Sequence, residues 1–220
     1  GMKAIILAGG RGTRLPVSAK DMPKTLVPIA GKPILQHQIE RLLSFGLNDI
    51  KISLGHKADI ANSWIKKYYH NQIECVIESE SLGTGGAIKF ASQSLTKPFL
   101  VINGDVMADF DYQKILDSFK ILGGNIIVGH QVANASDYGV LKHDQAGRIH
   151  EFIEKPLGGA PGIINAGVYV LQPDIFNGLP DKFSIEKELF PILAQQGKLY
   201  CHKHIGSHWF DCGTEERLAA

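Results

Sequence analysis

A glycine-rich turn near the N-terminus contains the first residues that could do chemistry. An apolar run, Ala4 to Leu7, leads into Ala8-Gly9-Gly10-Arg11-Gly12-Thr13-Arg14, and Pro23-Lys24 follows. The three glycines lack the Cβ atoms that would keep a bulky anion away from backbone N–H groups. With the nearby cations, the pattern predicts a cradle for the phosphates of a nucleoside triphosphate. The simpler alternative is a tight turn with solvated basic side chains.

Two common phosphate-binding motifs do not fit this turn. A Walker loop ends in Gly-Lys-Ser/Thr, whereas this turn reads Gly12-Thr13-Arg14. The dinucleotide fingerprint requires a third glycine where Leu15 stands. The turn therefore indicates phosphate binding of another kind.

Two aspartates follow predicted strands. Asp105 comes after the apolar strand Phe99 to Ile102, and Asp211 lies in the run Trp209-Phe210-Asp211-Cys212-Gly213-Thr214. Ligands of open parallel sheets bind beyond the carboxyl ends of the strands. Mg²⁺ takes one or two protein carboxylates together with phosphate oxygens. We therefore expect Mg²⁺ at Asp105, with Asp211 as a candidate second ligand; both could instead be ordinary turn residues.

A second small-residue turn, Leu82-Gly83-Thr84-Gly85-Gly86-Ala87-Ile88, would let the chain pass close to a flat ligand such as a nucleotide base. Glu78 and Glu80 precede it. Carboxylates accept hydrogen bonds, and guanine offers N–H donors on its pairing edge. This mildly favours guanine, with backbone groups of Leu7 and Ala8 as further partners, although both glutamates could simply be solvated.

The pattern of elements predicts an α/β fold, a Rossmann-like three-layer αβα sandwich with a mostly parallel central sheet. Strands are expected at 4–7, 50–54, 73–77, 99–102 and 125–132. Helices are expected between Pro33 and Gly46 and at 58–69, 86–94 and 112–122. Ile60, Trp64, Ile65 and Tyr68 are expected on one face of the second helix.

The texture changes after Val132. A small β-hairpin elaboration is expected from 138–142 and 149–154, then a loop at 158–162 and a strand at 163–171. Ser184 is placed to cap a helix that runs to about Gln196, with Gly197 at its end. Strands at 199–205 and 208–211 close the chain.

Composition restricts the class of protein. The 220 residues suit a single domain, and the change of texture after Val132 divides it into about 2–132 and about 133–220. A net charge of +1 gives no general attraction to nucleic acid or membranes. Three cysteines without metal-like spacing, and no long apolar run, favour a cytoplasmic protein.

The long run from Leu7 to Leu15, with Pro23-Lys24 and Leu26-Val27-Pro28-Ile29, resembles the signature of the sugar-1-phosphate nucleotidyltransferases, or nucleotide-sugar pyrophosphorylases. Their Trp-x-Asp-x-Gly-Thr segment matches Trp209 to Thr214. The family's sugar-binding part is matched, in order, by Tyr138-Gly139-Val140, Glu154-Lys155-Pro156 and Ile164-Asn165-Ala166-Gly167.

The resemblance implies transfer of a nucleotidyl group from a nucleoside triphosphate to a sugar 1-phosphate, with release of pyrophosphate. Catalytic roles then fall to Arg14, Lys24, Asp105 and Lys155, and Mg²⁺ would bind Asp105 and Asp211. Gly139, Glu154 and Asn165 would bind the sugar. The nucleotide would contact Leu7, Ala8, Gly9, Gly10, Gly12, Thr13, Glu78, Glu80, Gly83 and Thr84.

The nearest resemblance is to bacterial heptose-1-phosphate or mannose-1-phosphate guanylyltransferases, which favours GTP; UTP or dTTP with a hexose 1-phosphate stays open. A monomer or homodimer is expected. Two remote alternatives are a nucleotide-sugar glycosyltransferase, for which Asp109-Phe110-Asp111 would supply an Asp-x-Asp motif, and a non-catalytic nucleotide-sugar-binding protein.

Overall fold

A computed structural model describes residues 1–10, 22–206 and 208–212. The predictions for Arg11, Gly12, Thr13, Arg14 and Leu15 lie outside these residues, as do those for Gly213 and Thr214. Of the predicted phosphate-binding cations, Lys24 and Lys155 can be placed in the structure.

The described strands, in chain order, are β1 Ala4–Leu7, β2 Pro28–Ile29, β3 Lys32–Pro33, β4 Ile50–Leu54, β5 Glu74–Ile77, β6 Phe99–Asn103, β7 Val106–Ala108, β8 Asn125–Val132, β9 Gly139–His143, β10 Ile149–Glu154, β11 Gly162–Leu171, β12 Leu199–Lys203 and β13 Trp209–Asp211. The helices are α1 Ile34–Ser44, α2 Ala58–Tyr69, α3 Gly83–Ala91, α4 Tyr112–Leu122, α5 Ile185–Glu188 and α6 Phe190–Gln195. Short 3₁₀ turns lie at Lys24–Leu26 and Pro173–Phe176.

One mixed sheet forms the centre of the molecule. Its order is β5-β4-β1-β6-β11, followed by β8 and β12, and the β9–β10 hairpin joins β11 near its start. β1, β4, β5 and β6 are parallel to one another, and β12 is parallel to β8. β11 runs antiparallel to β6, β8 and β9 and joins the second half of the chain to the first within one sheet.

Both faces of the sheet are buried, because alternate side chains of each strand enter different cores. In β1, Ile6 packs on the side covered by α1, α2 and α4, whereas Ile5 packs on the side covered by α3, α5 and α6. This explains why the central strands are continuous apolar runs. The three-layer α/β architecture predicted from the sequence is confirmed.

Three predictions about the helices are wrong in detail. α2 buries Ala61 and Ile65, while Ile60 and Tyr68 are exposed. α3 begins at Gly83, three residues before the predicted start at Gly86. The expected helix from Ser184 to Gln196 is divided into α5 and α6, because Pro191 has no N–H to continue the helical ladder.

The C-terminal strands also differ from the prediction. β12 ends at Lys203, not Ile205. The sequence did not predict β7, which pairs with β13 in a separate two-stranded ladder. Among the described residues, no helix has the length and apolarity needed to cross a membrane.

Candidate active site

A cleft of about 280 Å³ opens where β1, β4 and β6 end. These strands are parallel, so their carboxyl ends meet at one edge of the sheet. The cleft therefore brings together turns that are far apart in sequence. Its lining consists of Leu7, Ala8, Gly9, Gly10, Lys24, Thr25, Ser53, Glu78, Ser81, Gly83, Thr84, Ala87, Asn103, Gly104 and Asp105.

Gly9 and Gly10 of the first turn differ in what surrounds the position of a Cβ atom. A Cβ on Gly9 would lie 2.7 Å from Glu78 Oε1 and 3.3 Å from the backbone nitrogen of Gly55, so this position is constrained by the protein itself. A Cβ on Gly10 would meet none of the described residues within 4 Å. Gly10 is thus the position where the backbone faces open space at the cleft.

Lys24 and Asp105 form an ion pair at the cleft, with Lys24 Nζ 3.1 Å from Asp105 Oδ2. The lysine begins the 3₁₀ turn that follows Pro23, and the aspartate lies in the turn between β6 and β7. The two side chains are 17% and 32% exposed, so both can still reach solvent or a ligand. A cation and a hard carboxylate, 81 residues apart in sequence, therefore share one opening.

Asp211 is brought beside the Asp105 turn by the β7–β13 ladder. Asp211 pairs with Val106, and the N–H of Cys212 donates to the backbone oxygen of Asp105 at 2.6 Å. Burial, reinforced by the charges of Asp105 and Asp211, raises the pKa of the Cys212 thiol to about 12. The indole N–H of Trp209 donates to the backbone oxygen of Ala166 at 2.9 Å and anchors β13 to β11.

The pair of carboxylates suits Mg²⁺. Within residues 1–10, 22–206 and 208–212, no three His, Cys, Asp or Glu side chains are placed to hold a metal by themselves. Mg²⁺ usually takes only one or two protein carboxylates and completes its shell with water and substrate phosphates. Asp105 and Asp211 thus fit an ion that arrives with a nucleotide better than a permanently bound one.

The two predicted base-binding glutamates lie in different environments. Glu78 follows β5, and its N–H donates to the backbone oxygen of Leu54. Its Oε2 atom is buried and has no hydrogen-bond partner among the described residues. Burial raises the pKa of the Glu78 carboxyl. Glu80 is exposed and does not line the cleft. Of the pair, the structure brings Glu78 to the cleft.

The glycines after Leu82 mainly make room for another part of the chain. A Cβ on Gly83 or Gly85 would collide with Phe183, and one on Gly86 would collide with the backbone of Asp181. The N–H groups of Gly85 and Gly86 donate to the backbone oxygen of Phe183 at 3.0 and 3.2 Å. The segment before α5 therefore packs directly on the start of α3.

The Thr84 side chain continues this contact. Its hydroxyl donates to Glu186 Oε2 at 2.6 Å and accepts from the N–H of Ile185 at 3.0 Å. Ser184 donates to the same Glu186 oxygen at 3.1 Å. Thr84 and Gly83 do line the cleft, but the Thr84 hydroxyl is engaged with α5. The sequence analysis missed Glu186, which links the two halves of the chain.

The predicted sugar-binding residues meet where β9, β10 and β11 join. Glu154 pairs with Gly139 across the hairpin, and Ile164, next to Asn165, pairs with Val140. A Cβ on Gly139 would collide with the Phe152 ring, which explains the glycine without a ligand. Burial and the charge of Glu186 raise the pKa of the Glu154 carboxyl.

Hydrogen bonds to neighbouring groups fix the Asn165 side chain and the Lys155 backbone. Asn165 Oδ1 accepts from the N–H of Gly167 at 2.9 Å, and its Nδ2 donates to the Tyr169 hydroxyl at 2.8 Å. Lys155 is exposed and has a positive φ of 46°, with its N–H donating to the backbone oxygen of Tyr138. A non-glycine residue in this region is strained, and such strain is common at functional sites.

The sugar side adjoins the Asp105 turn. Gly167 has a φ of 85°, and a Cβ there would lie 3.2 Å from Asn103 Nδ2 and 3.0 Å from Val106 Cγ1. The turn after Asn165 therefore packs against the turn that carries Asp105. The structure thus places the predicted sugar residues beside the cleft, although they do not line it.

Two hydroxyl groups of the cleft were not predicted from the sequence. Thr25 Oγ1 and Ser53 Oγ are buried there without a hydrogen-bond partner. Thr25 follows Lys24 directly, and Ser53 lies in β4, one residue before the strand ends. Their positions beside a predicted cation and near a strand's carboxyl end are the signals that could have found them.

The geometry agrees with a known class of protein. The Nucleotidyl transferase family matches residues 3–220, and the chain belongs to this family. Among curated relatives, it is 39% identical over 222 residues to mannose-1-phosphate guanyltransferase of Candida albicans, and 39% identical to that of Saccharomyces cerevisiae. Each alignment covers 96% of this chain but 61% of the relative, so the chain spans about three-fifths of their length.

Solved structures extend the comparison. HddC from Yersinia pseudotuberculosis, in a complex with GMP-PN, superposes with a TM-score of 0.83 at 35% identity, covering 100% of this chain and 97% of HddC. A putative glucose-1-phosphate thymidylyltransferase from Bacillus anthracis superposes with a TM-score of 0.82 over 100% of this chain and 93% of its own. At 24% identity, the second likeness concerns the fold alone. The family resemblance predicted from the motifs is confirmed.

Proposed function

We propose that the chain transfers a guanylyl group from GTP to a sugar 1-phosphate, forming a nucleotide-diphosphate sugar and pyrophosphate. The observation that carries this proposal is the convergence of Lys24 and Asp105 with the Gly10 turn at one cleft, beside Asp211. The family and the guanyltransferase relatives support the same reaction class.

The chemistry requires no nucleophilic side chain. The phosphate oxygen of the sugar phosphate is already anionic at neutral pH, and it attacks the α-phosphorus of the triphosphate as pyrophosphate leaves. Two unit charges 4 Å apart repel by about 4 kcal/mol at an effective dielectric constant of 20. The protein must therefore neutralise charge and align the two substrates.

The cations divide this task. Lys24, and Arg14 outside the described residues, would hold the triphosphate and the leaving pyrophosphate. Lys155, exposed on the sugar side, would bind the phosphate of the sugar. Backbone N–H groups around Gly10, where no Cβ intervenes, would contact the triphosphate as well.

Asp105 and Asp211 would hold Mg²⁺, which when bound supplies charge neutralisation and Lewis-acid polarisation of the phosphates. In the free protein, the ammonium of Lys24 offsets the charge of Asp105. Lys24 would then turn toward the triphosphate when that ligand arrives.

Glu78 would select the base. Its buried Oε2 lacks a partner, and guanine presents an N1–H and an amino group that could pair with a carboxylate. Uracil and thymine offer a single N–H on that edge, so UTP and dTTP are the weaker alternatives. The guanyltransferase relatives and the GMP-PN complex of HddC favour the same choice.

On the sugar side, Glu154 would accept hydrogen bonds from sugar hydroxyls, with Asn165 and Gly139 completing the contact surface. Mannose 1-phosphate is the substrate that the names of the guanyltransferase relatives favour. The motif resemblance adds heptose 1-phosphate.

A panel of substrates tests the proposal. Pyrophosphate release would be measured with each of GTP, UTP, dTTP, ATP and CTP against mannose, glucose and heptose 1-phosphates, with Mg²⁺ present. We expect GTP with mannose or heptose 1-phosphate to give the highest kcat/KM. Asp105→Asn serves as the inactive control, and a panel in which no pair exceeds that control would contradict the proposal.

A further inference from the structure

Gln38, on α1, binds the turn that carries Asp105. It is a buried polar residue, only 6% exposed, in a helix whose other inward side chains are apolar. Its Nε2 donates to two backbone oxygens, those of Asn103 and Val106, each at 2.9 Å. These two carbonyls flank Gly104 and Asp105.

Two other backbone groups of the turn are bound by other elements. The N–H of Gly104 donates to the backbone oxygen of Leu7 at 2.8 Å, and the Asp105 oxygen accepts from Cys212 at 2.6 Å. A Cβ on Gly104 would collide with that Leu7 oxygen, so the turn fits tightly against β1. Gln38 supplies the ties on the α1 side.

The chemistry of the amide explains why glutamine occupies this position. A primary amide nitrogen carries two hydrogens and can serve two carbonyls at once. The reversed amide would place Oε1 against both carbonyl oxygens. In the observed orientation Oε1 is buried without a hydrogen-bond partner. Leaving a buried acceptor unpaired is unfavourable, so the two donated bonds come at the expense of an unsatisfied oxygen.

We infer that Gln38 is a positioning residue for the carboxylate of Asp105: by clamping the carbonyls on both sides, it holds the turn in the conformation that presents Asp105 at the cleft. The inference rests on the proposed function, in which Asp105 binds a divalent ion. Gln38 itself touches neither substrate nor ion. Its loss should therefore weaken metal binding more than nucleotide binding.

Two variants remove the clamp in different ways. Gln38→Met keeps an unbranched side chain of similar length but has no donor, and Gln38→Glu keeps the shape while its ionised carboxylate can only accept. The matched control is Arg41→Met, one turn along α1. Arg41 donates to the backbone oxygen of Phe110 at 2.9 and 2.8 Å, so its loss also removes bonds between α1 and the segment after β7, but not at Asp105.

The experiment measures Mn²⁺ binding by calorimetry in the presence of a non-hydrolysable GTP analogue, and the Mg²⁺ concentration that gives half-maximal velocity. Hydrogen exchange of the 103–107 amides reports the turn directly. For both Gln38 variants we expect metal affinity to fall on the order of 10-fold, as is typical for partners of metal ligands. Exchange in the turn should accelerate, while affinity for the GTP analogue without metal changes less than twofold.

If both Gln38 variants bind the metal as tightly as the wild type does, the inference is wrong but the proposed function is unaffected. The same holds if Arg41→Met loses as much metal affinity as the Gln38 variants do. A wild-type protein that binds no Mn²⁺ with the nucleotide would contradict the metal part of the proposed function, and with it the inference. If Gln38→Met does not fold, Gln38→Glu and the exchange measurement still decide the question.

Discussion

The nucleotide side and the sugar side of the candidate site are built differently. The nucleotide side consists of turns at the carboxyl ends of β1, β4 and β6, where backbone groups and the Lys24–Asp105 pair face a cleft. The sugar side lies on the antiparallel β9–β11 unit, where Asn165 is occupied by protein hydrogen bonds and Gly139 is required by Phe152.

This difference separates two kinds of sensitivity. On the nucleotide side, single charged groups should control the chemical step, because they face the cleft where the phosphates would react. On the sugar side, several groups share recognition and are also structural, so substitutions there should affect substrate affinity and stability together.

Asp105→Asn should have the largest effect. It keeps the size of the side chain and removes the charge that would hold Mg²⁺ and pair with Lys24. Metal stabilisation of a phosphoryl transition state amounts to several kcal/mol, so kcat should fall by at least about 100-fold. Pyrophosphate release at saturating substrates measures the loss, and circular dichroism checks the fold. Wild-type rates with Mg²⁺ would contradict the role of Asp105 as a metal ligand.

Lys155 allows charge and backbone strain to be separated. Lys155→Ala and Lys155→Gly both remove the ammonium, and each should raise KM for the sugar phosphate about 10-fold or more while leaving KM for GTP nearly unchanged. Only the glycine variant relieves the positive φ, so it should be more stable than the alanine variant by about 1 kcal/mol. Impaired use of GTP with normal use of the sugar phosphate would assign Lys155 to the other substrate.

The sequence predicted local features well, because their causes are local. The bounds of α2, α4 and β8 match the prediction, and in α4 the Asp111 cap and Gly123 mark the two ends. The glycine turn and Asp105 were predicted to meet because parallel strands end at one edge of the sheet. The interruption of the helix at Pro191 was not predicted, although a proline in the sequence indicates such an interruption.

The remaining features depend on contacts between distant segments. The sequence predicted a strand at 208–211, where β13 lies, but not its three-residue partner β7, about a hundred positions away, nor the ladder that they form. In the sequence, the glycines after Leu82 resemble a ligand-binding turn. Only the structure shows that the Phe183 segment packs against them. A buried glutamine such as Gln38 has no sequence signature that identifies which carbonyls it binds.

Glu78→Gln tests selection of the base on the nucleotide side. The amide keeps the shape but replaces one acceptor oxygen by a donor, which opposes the N–H groups of guanine. We expect kcat/KM for GTP to fall about 10-fold, equivalent to one or two lost hydrogen bonds, with UTP affected less. Ser53→Ala, which removes a neighbouring hydroxyl of the cleft without changing charge, is the matched control. An equal loss for GTP and UTP would indicate a general packing effect and would leave base selection to other groups.

The smallest expected effect is a pH-dependent change in stability on the sugar side. Burial and the charge of Glu186 raise the pKa of Glu154, so the folded protein binds this proton more tightly than the unfolded chain does. Stability from Glu154 is therefore present below the unfolded pKa and is lost as pH rises through the folded pKa.

Glu154→Gln removes that titration, so its Tm should exceed the wild-type value at pH 7 and converge with it near pH 4. Because Glu186 contributes to the shift, Glu186→Gln should also raise the Tm at pH 7, but by less, and its amide oxygen can still accept from Thr84 and Ser184. Thermal melts at both pH values, combined with KM for the sugar phosphate, decide whether this carboxylate is kept for recognition at a cost in stability. If the Tm difference between Glu154→Gln and the wild type is the same at pH 4 and pH 7, the surroundings of Glu154 do not raise its pKa.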